Sequence, residues 1–321
     1  MTGRRLVPAA LAAVMILAAA SVPLAQRSRA TAFTARDLVG TWIPVWVERL
    51  APGAEPVRVP NPRGVLVFDA AGHAVEVITR GDRAPYAAGQ PTPAEAQAAI
   101  TNFGGFWGGY RVDEARGTIT VHVEGAVDPT MMGADVERQY AFADDELTIT
   151  STRPRAGAPN GVRSVWQRAP VVETLTPSHR RLIGFWQHVV ERREDMNGQV
   201  LSESRRAPSV IVYTPTGHVA VHFPPLGREP FAGALPSDEE AQAAIRGYVG
   251  YYGVYSLHPG AVHHHRLATL GSAQGDSLRR FYRIQGDEVT LRFPPGTFQG
   301  VESRTVVVLR RLSGEPEMRP R

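Results

Sequence analysis

Histidines on two corresponding stretches of the chain offer the clearest chemistry. The first stretch carries His122 and Glu124, and the second carries His263, His264 and His265. If both stretches are strands, successive side chains face opposite ways, so His122 shares a face with Glu124 and His263 with His265. Imidazoles two residues apart on one strand can transfer protons, and they can ligate a metal when another strand adds a ligand.

The sequence leaves three roles open for the histidines. A third metal ligand would be His222, Glu302 or Asp276, and nothing in the spacing fixes any of them. Every second residue of 119–123 is apolar, which also fits histidines on the solvated outside of a sheet. The alternatives are therefore a hydrogen-bonding cluster without a ligand, a ligand-contacting or acid–base group, and a metal site. We favour the first, and we expect neither a metal nor a cofactor.

Arginine alternates with aromatic residues at a second pair of corresponding places. Tyr140 lies two residues after Arg138, and Tyr282 lies two residues after Arg280. An arginine inside a barrel would receive a carboxylate or phenolate through two parallel hydrogen bonds, whereas an arginine at the rim would form a surface ion pair. The residues that we expect to contact a ligand are His122, Glu124, Tyr110, Arg138, His263, His265, Tyr255 and Arg280.

These residues lie in a sequence that occurs twice. Gly-Thr-Trp at 40–42 returns as Gly-Phe-Trp at 184–186, and Ala-Gln-Ala-Ala-Ile at 96–100 returns at 241–245. The separations are 144 residues (184 − 40) and 145 residues (245 − 100), which is the size of a whole domain. The sequence predicts two folded units of one kind.

The composition narrows the class of protein. The 321 residues are 43% hydrophobic, which suffices for two cores, predicted at 36–170 and 179–313. Residues 1–25 have the layout of a secretory signal peptide, so we expect a periplasmic or secreted protein without stable membrane insertion after cleavage. The chain has no cysteine and no lysine, which excludes disulfides and Schiff-base chemistry. The net charge of +4 comes from scattered arginines, so no nucleic-acid partner is expected.

Turn residues divide the first copy into short strands. Threonine at 92, proline at 93 and glutamate at 95 predict the start of one helix, and Ser237 starts its counterpart. Eight antiparallel strands joined to their neighbours close most simply into a barrel, and a two-layer sandwich is the alternative. The predicted fold class is all-β, with two tandem eight-stranded barrels and one inserted helix in each. The predicted strands are 38–48, 64–69, 73–79, 106–113, 117–124, 136–143, 146–152 and 161–169.

The chain resembles the lipocalin and calycin superfamily at Trp42 and Trp186, each in a Gly-x-Trp motif at the start of a unit. This resemblance implies that an arginine of the last strand packs over each indole. The matching arginines are Arg168 in the first copy and Arg310 or Arg311 in the second. The inserted helix and residues 247–255 are more similar to the bacterial lipocalin-like domain family, over most of both copies.

Two functions follow as hypotheses. The first is non-covalent binding of a small, largely apolar or aromatic molecule in one or both barrels, because glycines and aromatic residues alternate at 103–110 and 248–255. The second is an isomerase, cyclase or lyase that uses histidine as a base and arginine or tyrosine to polarise an oxygen. A third alternative is an interaction module with a joint surface. We also expect the two units to have separate cores and unequal pockets.

Overall fold

The computed structural model describes residues 34–80, 84–153, 160–233, 235–271 and 276–312. The predicted signal peptide at 1–25 lies outside them. Strands of the first copy are β1 Gly40–Arg49, β2 Val57–Arg58, β3 Pro62–Phe68, β4 His73–Arg80, β5 Phe103–Asp113, β6 Thr118–Ala126, β7 Asp135–Ala143, β8 Glu146–Ser151 and β9 Val162–Arg168. Strands of the second copy are β10 Gly184–Asp195, β11 Val200–Ser204, β12 Val210–Tyr213, β13 His218–Phe223, β14 Val249–His258, β15 Ala261–Thr269, β16 Ser277–Gln285, β17 Glu288–Arg292, β18 Gly296–Phe298 and β19 Val301–Arg311.

Each copy has one inserted helix and one short helix before its first strand. The inserted helices are α2 Pro93–Asn102 and α4 Asp238–Ile245, and the short ones are α1 Ala35–Leu38 and α3 Pro177–Leu182. A capping box begins each inserted helix, because Thr92 and Ser237 accept hydrogen bonds from the third residue of their helices. The predicted inserted helices are confirmed. No helix among the described residues is long and apolar enough to cross a membrane.

Each copy closes into an eight-stranded antiparallel barrel. In barrel 1, β1 pairs with both β3 and β9, and in barrel 2, β10 pairs with both β12 and β19. The short strands β2, β11 and β18 extend the sheets beyond the closed ring. The predicted tandem barrels are confirmed, and the sandwich alternative is wrong.

The tryptophan–arginine prediction is also confirmed. The guanidinium carbon of Arg168 lies 4.2 Å from the centre of the Trp42 ring, and that of Arg311 lies 4.1 Å from the Trp186 ring. Trp42 donates its indole hydrogen to the carbonyl of Leu38 at 2.8 Å. Both indoles are buried, so each pair closes one end of its barrel.

Glycines at one corresponding position bend the fifth strand of barrel 1 and its counterpart in barrel 2. Register shifts mark β-bulges at Gly108 and Gly253. A Cβ atom would lie 1.9 Å from the carbonyl oxygen of His122 at the first glycine and 2.1 Å from that of His265 at the second. Only glycine lets the neighbouring strand approach so closely, so the bulge is fixed by sequence.

The expectation of separate cores holds for the two barrel interiors but misses a core that the copies share. A third cluster of buried residues lies between the barrels, in addition to one inside each barrel. It is formed by the outer faces of strands β3 to β5 and β12 to β15, together with both inserted helices. Its members are Val65, Val67, Val75, Val77, Ala96, Ala99, Ile100, Phe103, Trp107 and Val127 from the first copy, and Phe185, Val210, Val212, Ala220, Phe231, Ala241, Ala244, Ile245, Tyr248, Tyr252, Ala268 and Leu270 from the second.

Polar contacts cross the same interface. His222 is fully buried and bonds the hydroxyl of Tyr248 at 2.7 Å and the carbonyl of Glu76 at 3.0 Å. Arg228 donates to the carbonyl of Ala126 at 2.7 Å and also to that of Val127. These bonds satisfy backbone groups that the interface removes from water. The two copies therefore form one packed body with three buried clusters.

Candidate functional site

An ion pair occupies the interior of barrel 1. Arg138, on β7, donates from a guanidinium nitrogen to a carboxylate oxygen of Glu76, on β4, at 2.6 Å. Only 7% of Arg138 and 4% of Glu76 is exposed. The guanidinium carbon lies 4.3 Å from the centre of the Phe106 ring. Because the two opposite charges satisfy each other away from water, barrel 1 provides its own carboxylate for its arginine.

A histidine between two tyrosines occupies the interior of barrel 2. His264 is fully buried, with its Nε2 2.8 Å from the hydroxyl of Tyr213 and its Nδ1 2.6 Å from the hydroxyl of Tyr251. Burial lowers the pKa of His264 to about 3, so the ring is neutral at pH 7. Burial also raises the pKa of Tyr251 to about 12, so that hydroxyl keeps its proton.

The arginine of barrel 2 lies in an apolar setting. Arg280, on β16, is partly buried, and its guanidinium carbon lies 3.6 Å from the centre of the Phe293 ring. One guanidinium nitrogen donates to the carbonyl of Arg279 at 2.9 Å. Burial lowers the pKa of Arg280, whereas the nearby phenols of Tyr251 and Tyr213 raise it. Among the described residues, no carboxylate forms an ion pair with Arg280.

The histidines singled out by the sequence lie on the outer faces. His122 is exposed, with its Nδ1 2.9 Å from a carboxylate oxygen of Asp135, and this bond lowers the pKa of that carboxyl. His265 bonds the hydroxyl of Ser256 at 3.0 Å, and the ring centre of His263 lies 6.3 Å from that of His265. The described residues contain no group of three ligands arranged to hold a metal.

The remaining candidates divide between the two faces of the sheets. Glu124 lies on the outer face of barrel 1, where burial raises the pKa of its carboxyl and the nearby His73 lowers it. Tyr110 packs inside barrel 1 and donates to the carbonyl of Asp69 at 2.8 Å. Tyr255 packs inside barrel 2 and donates to the carbonyl of Thr214 at 3.0 Å.

The sheet wall therefore separates groups that the enzyme hypothesis combined. His122 and Glu124 lie outside barrel 1, whereas Arg138 and Tyr110 lie inside it. In barrel 2, His265 faces outward, and Arg280 and Tyr255 face inward. A base and a polarising group on opposite faces of a sheet cannot act on one substrate, because catalysis needs both within hydrogen-bond reach.

Sequence reasoning missed the partners of the inward-facing groups. Glu76 stands between two valines in the middle of its strand, and a charge at that place is the signal for an interior ion pair. The spacing of the three adjacent histidines does not show which face is buried, and the structure places His264 inside the barrel. Tyr213 and Tyr251 carried no distinct signal, because tyrosines are common in strands.

Two cavities border the ends of the inserted helices. One of about 80 Å³ lies at the end of barrel 1 opposite Trp42. A larger one of about 570 Å³ lies between the end of α4 and residues 86–91 of the first copy. Residues 100–103 line the first, and their counterparts 245–248 line the second, whereas the rest of the two linings differ.

Solved structures similar to this chain share little sequence with it. A protein of unknown function from the DUF3598 family of Nostoc punctiforme has 10% identity and a TM-score of 0.21, covering 86% of this chain and 97% of its own. A putative outer membrane protein from Bacteroides fragilis has 9% identity and a TM-score of 0.21, with 86% and 98% covered. A porin-like protein from Bacteroides uniformis has 10% identity and a TM-score of 0.17, with 84% and 96% covered.

Family membership comes from the sequence itself. No curated protein matches the chain. The family model described as a lipocalin-like domain matches residues 58–169 and again residues 183–312. These two matches follow the two barrels and together span most of the chain. The chain thus belongs to the lipocalin-like domain family and contains two copies of its domain.

Proposed function

We propose that the protein is exported and binds a small, largely apolar molecule in one or both of two cavities, one at the open end of barrel 1 and one between the copies. The observation that carries the proposal is that both cavities border the end of an inserted helix, at the corresponding residues 100–103 and 245–248. The rest of each lining differs, so we expect the two cavities to differ in affinity.

The lining of the smaller cavity favours an apolar molecule. It includes Val47, Ile78, Phe103, Phe106 and Met131. Its volume of about 80 Å³ is below the roughly 150 Å³ of an engineered cavity that holds benzene, so it accommodates only the tip of a ligand. Binding there needs the ligand to extend from the barrel mouth.

The larger cavity is the better candidate by size. Its volume of about 570 Å³ falls within the range of roughly 300–1,000 Å³ that is usual for small-molecule sites. Tyr86, Ile245, Tyr248 and Leu270 give it apolar surface, and Arg246 adds a charge at the edge. An aromatic or aliphatic molecule with a single polar end matches this lining.

Two matched variants test the proposal. Thr101 and Arg246 line the two cavities at corresponding positions, so Thr101→Trp and Arg246→Trp each fill one cavity without removing a core side chain. Thermal-shift screening of the purified full chain against lipids, quinones, flavonoids and tetrapyrroles would supply a binding probe. We expect Arg246→Trp to lower affinity for that probe at least tenfold. If no probe binds, or if neither variant changes its affinity, the proposal fails.

Export can be tested separately. The expectation comes from the signal-like sequence of residues 1–25. Fractionation of a bacterial host should recover a shortened chain outside the cytoplasm, and N-terminal sequencing should give the cleavage site. A full-length chain confined to the cytoplasm would contradict export without affecting the binding proposal.

A further inference from the structure

Corresponding arginines of the two barrels occupy the same place in the strand ladder. Arg138 pairs with Ile119 of the neighbouring strand, and Arg280 pairs with Val262. The separations along the chain are 142 residues (280 − 138) and 143 residues (262 − 119). Each guanidinium lies over a phenylalanine ring, at 4.3 Å from Phe106 and at 3.6 Å from Phe293 respectively. The two copies have kept an inward-facing arginine at the same register, although the two guanidinium groups lie over phenylalanines at positions that do not correspond.

Only barrel 1 supplies a carboxylate to its arginine. Glu76 pairs with Leu66 and Phe106, and the residue in the same register of barrel 2, paired with Ile211 and Tyr251, is Val221. Val221 is buried inside barrel 2. A valine cannot neutralise the guanidinium, so barrel 2 has no carboxylate at the position that Glu76 occupies in barrel 1.

The nearest acidic residue of barrel 2 is already engaged. Asp276 receives two hydrogen bonds from Arg266, one of them at 2.5 Å from Nε. These two hydrogen bonds mean that Arg266 already neutralises the charge of Asp276. Among the described residues, the one hydrogen bond of Arg280 goes to the carbonyl of Arg279. The remaining N–H groups of the guanidinium have no acceptor in the described part of the chain.

The hydrogen bonds around His264 leave one tyrosine hydroxyl hydrogen without an acceptor in the ranges that the structure describes. A neutral imidazole has one N–H donor and one acceptor nitrogen, and each nitrogen of His264 meets a tyrosine hydroxyl. One of Tyr213 and Tyr251 therefore donates to the ring, and the other accepts from it. The accepting tyrosine keeps its own hydroxyl hydrogen, and no other acceptor among the described residues contacts either hydroxyl. The cluster presents an excess of donors.

We propose that barrel 2 binds the carboxylate group of a small organic acid, with Arg280 as its principal contact and the one tyrosine of Tyr213 and Tyr251 that accepts from His264 as a further donor. Arginine presents two parallel N–H groups that match a carboxylate. The bound carboxylate would take the place that the Glu76 side chain fills in barrel 1. The apolar residues around Arg280 favour an acid with an aromatic or aliphatic body. This site is distinct from the two cavities of the proposed function, neither of which is lined by Arg280.

Substitution at the position of the missing carboxylate is the sharpest test. Val221→Glu recreates the register of Glu76 and should give Arg280 an internal partner, while Val221→Leu is the matched apolar control. Titration calorimetry of the purified full chain would use 2-naphthoate and decanoate, each beside its neutral primary amide. We expect at least one carboxylate to bind about tenfold tighter than its amide, as for a hydrogen bond to a charged group. Val221→Glu should remove that preference, and Val221→Leu should retain it.

A second variant keeps the proposal testable if Val221→Glu does not fold. Arg280→Met keeps the length of the side chain without the charge and should lower the affinity for the carboxylate about tenfold, with little change for the amide. Circular dichroism would establish that each variant is folded. The proposal is overturned if no carboxylate binds the folded wild-type chain, if the amides bind as tightly as the acids, or if the affinity is unchanged in Val221→Glu and Arg280→Met. Neutral probes blocked by Arg246→Trp report on the cavity between the copies, so the two proposals fail separately.

Discussion

Barrel 1 and barrel 2 carry an arginine in the same register, and only barrel 1 holds a carboxylate against it. Glu76 lies 2.6 Å from Arg138, whereas Val221 has the register of Glu76 in barrel 2. A duplicated domain can thus keep its architecture while a few inward-facing residues change the chemistry of its interior. The charge in barrel 1 is satisfied by the chain itself, and the charge in barrel 2 is available to something else.

Loss of a barrel floor should have the largest effect. Trp42→Ala and Trp186→Ala should each lower the free energy of unfolding by about 3–5 kcal/mol, because each removes a fully buried indole. The core between the barrels should couple the copies, so urea unfolding followed by tryptophan fluorescence and by circular dichroism should show one transition in both variants. Two well-separated transitions would mean that the copies unfold independently despite their common core.

Loss of the ion pair in barrel 1 should lower stability more than loss of the corresponding arginine in barrel 2. Glu76→Val gives barrel 1 the residue of barrel 2 and should cost about 3–5 kcal/mol, because it leaves a buried guanidinium unpaired. Arg280→Met should change stability by less than about 1 kcal/mol, because it removes a partly buried charge that has no ion-pair partner among the described residues. Urea midpoints measured at one pH would compare them. Equal losses in the two variants would contradict the difference between the barrels.

Acid should lower the stability of the protein through two buried histidines of the second copy. Burial lowers the pKa of His222 to about 4 and that of His264 to about 3, and the corresponding residues of the first copy are Val77 and Val121. Between pH 6.5 and about 4 the unfolded chain binds a proton at each histidine and the folded chain does not. Stability is therefore full above pH 6.5 and falls as the pH drops, by roughly 3 kcal/mol for His222.

Glutamine variants give the measurement for this pH effect. His222→Gln and His264→Gln keep a hydrogen-bonding side chain and remove the titrating ring, so each should flatten the loss of stability between pH 6.5 and 4. Urea unfolding at half-unit pH intervals would follow it. A pH profile identical to that of the wild type in both variants would show that other groups cause the acid loss.

Substitution of the exterior histidines should have the smallest effect on stability. His122 is exposed beside Asp135, and His265 bonds Ser256 on the outer face of barrel 2. His122→Ala and His265→Ala should each change stability by no more than about 0.5 kcal/mol, as is usual for surface substitutions. Carboxylate affinity should remain at the wild-type value in both. A tenfold loss in His265→Ala would return the outer histidines to the candidate site.

The fold was predictable because its signals are local. Alternating strands, turn glycines and the capping box at Thr92 each act over a few residues, and the repeat supplied every signal twice. The site was less predictable because it depends on which face of a strand points inward. Val121 showed the inward face in the first copy, and the same register puts His264 inside barrel 2. The emphasis on His263 and His265 followed their spacing alone.

Contacts between the copies could not be predicted from periodicity. Val65 and Val67 alternate with Leu66 and Phe68, so the strand is apolar on both faces, and this pattern gives no partner for the outer face. The partner is the second copy, whose strand Val210–Tyr213 is likewise buried throughout. A strand with two apolar faces indicates a second packing layer, and the repeat suggests where that layer comes from.

The core between the barrels also sets an order of events during synthesis. Residues 65, 67, 75, 77 and 107 leave the ribosome long before their partners near 210–270 exist. Until then, the first copy presents an uncovered apolar sheet face, which is the kind of surface that promotes aggregation and recruits chaperones. We therefore expect the first copy to become fully stable only when the second has been synthesised and covers this face.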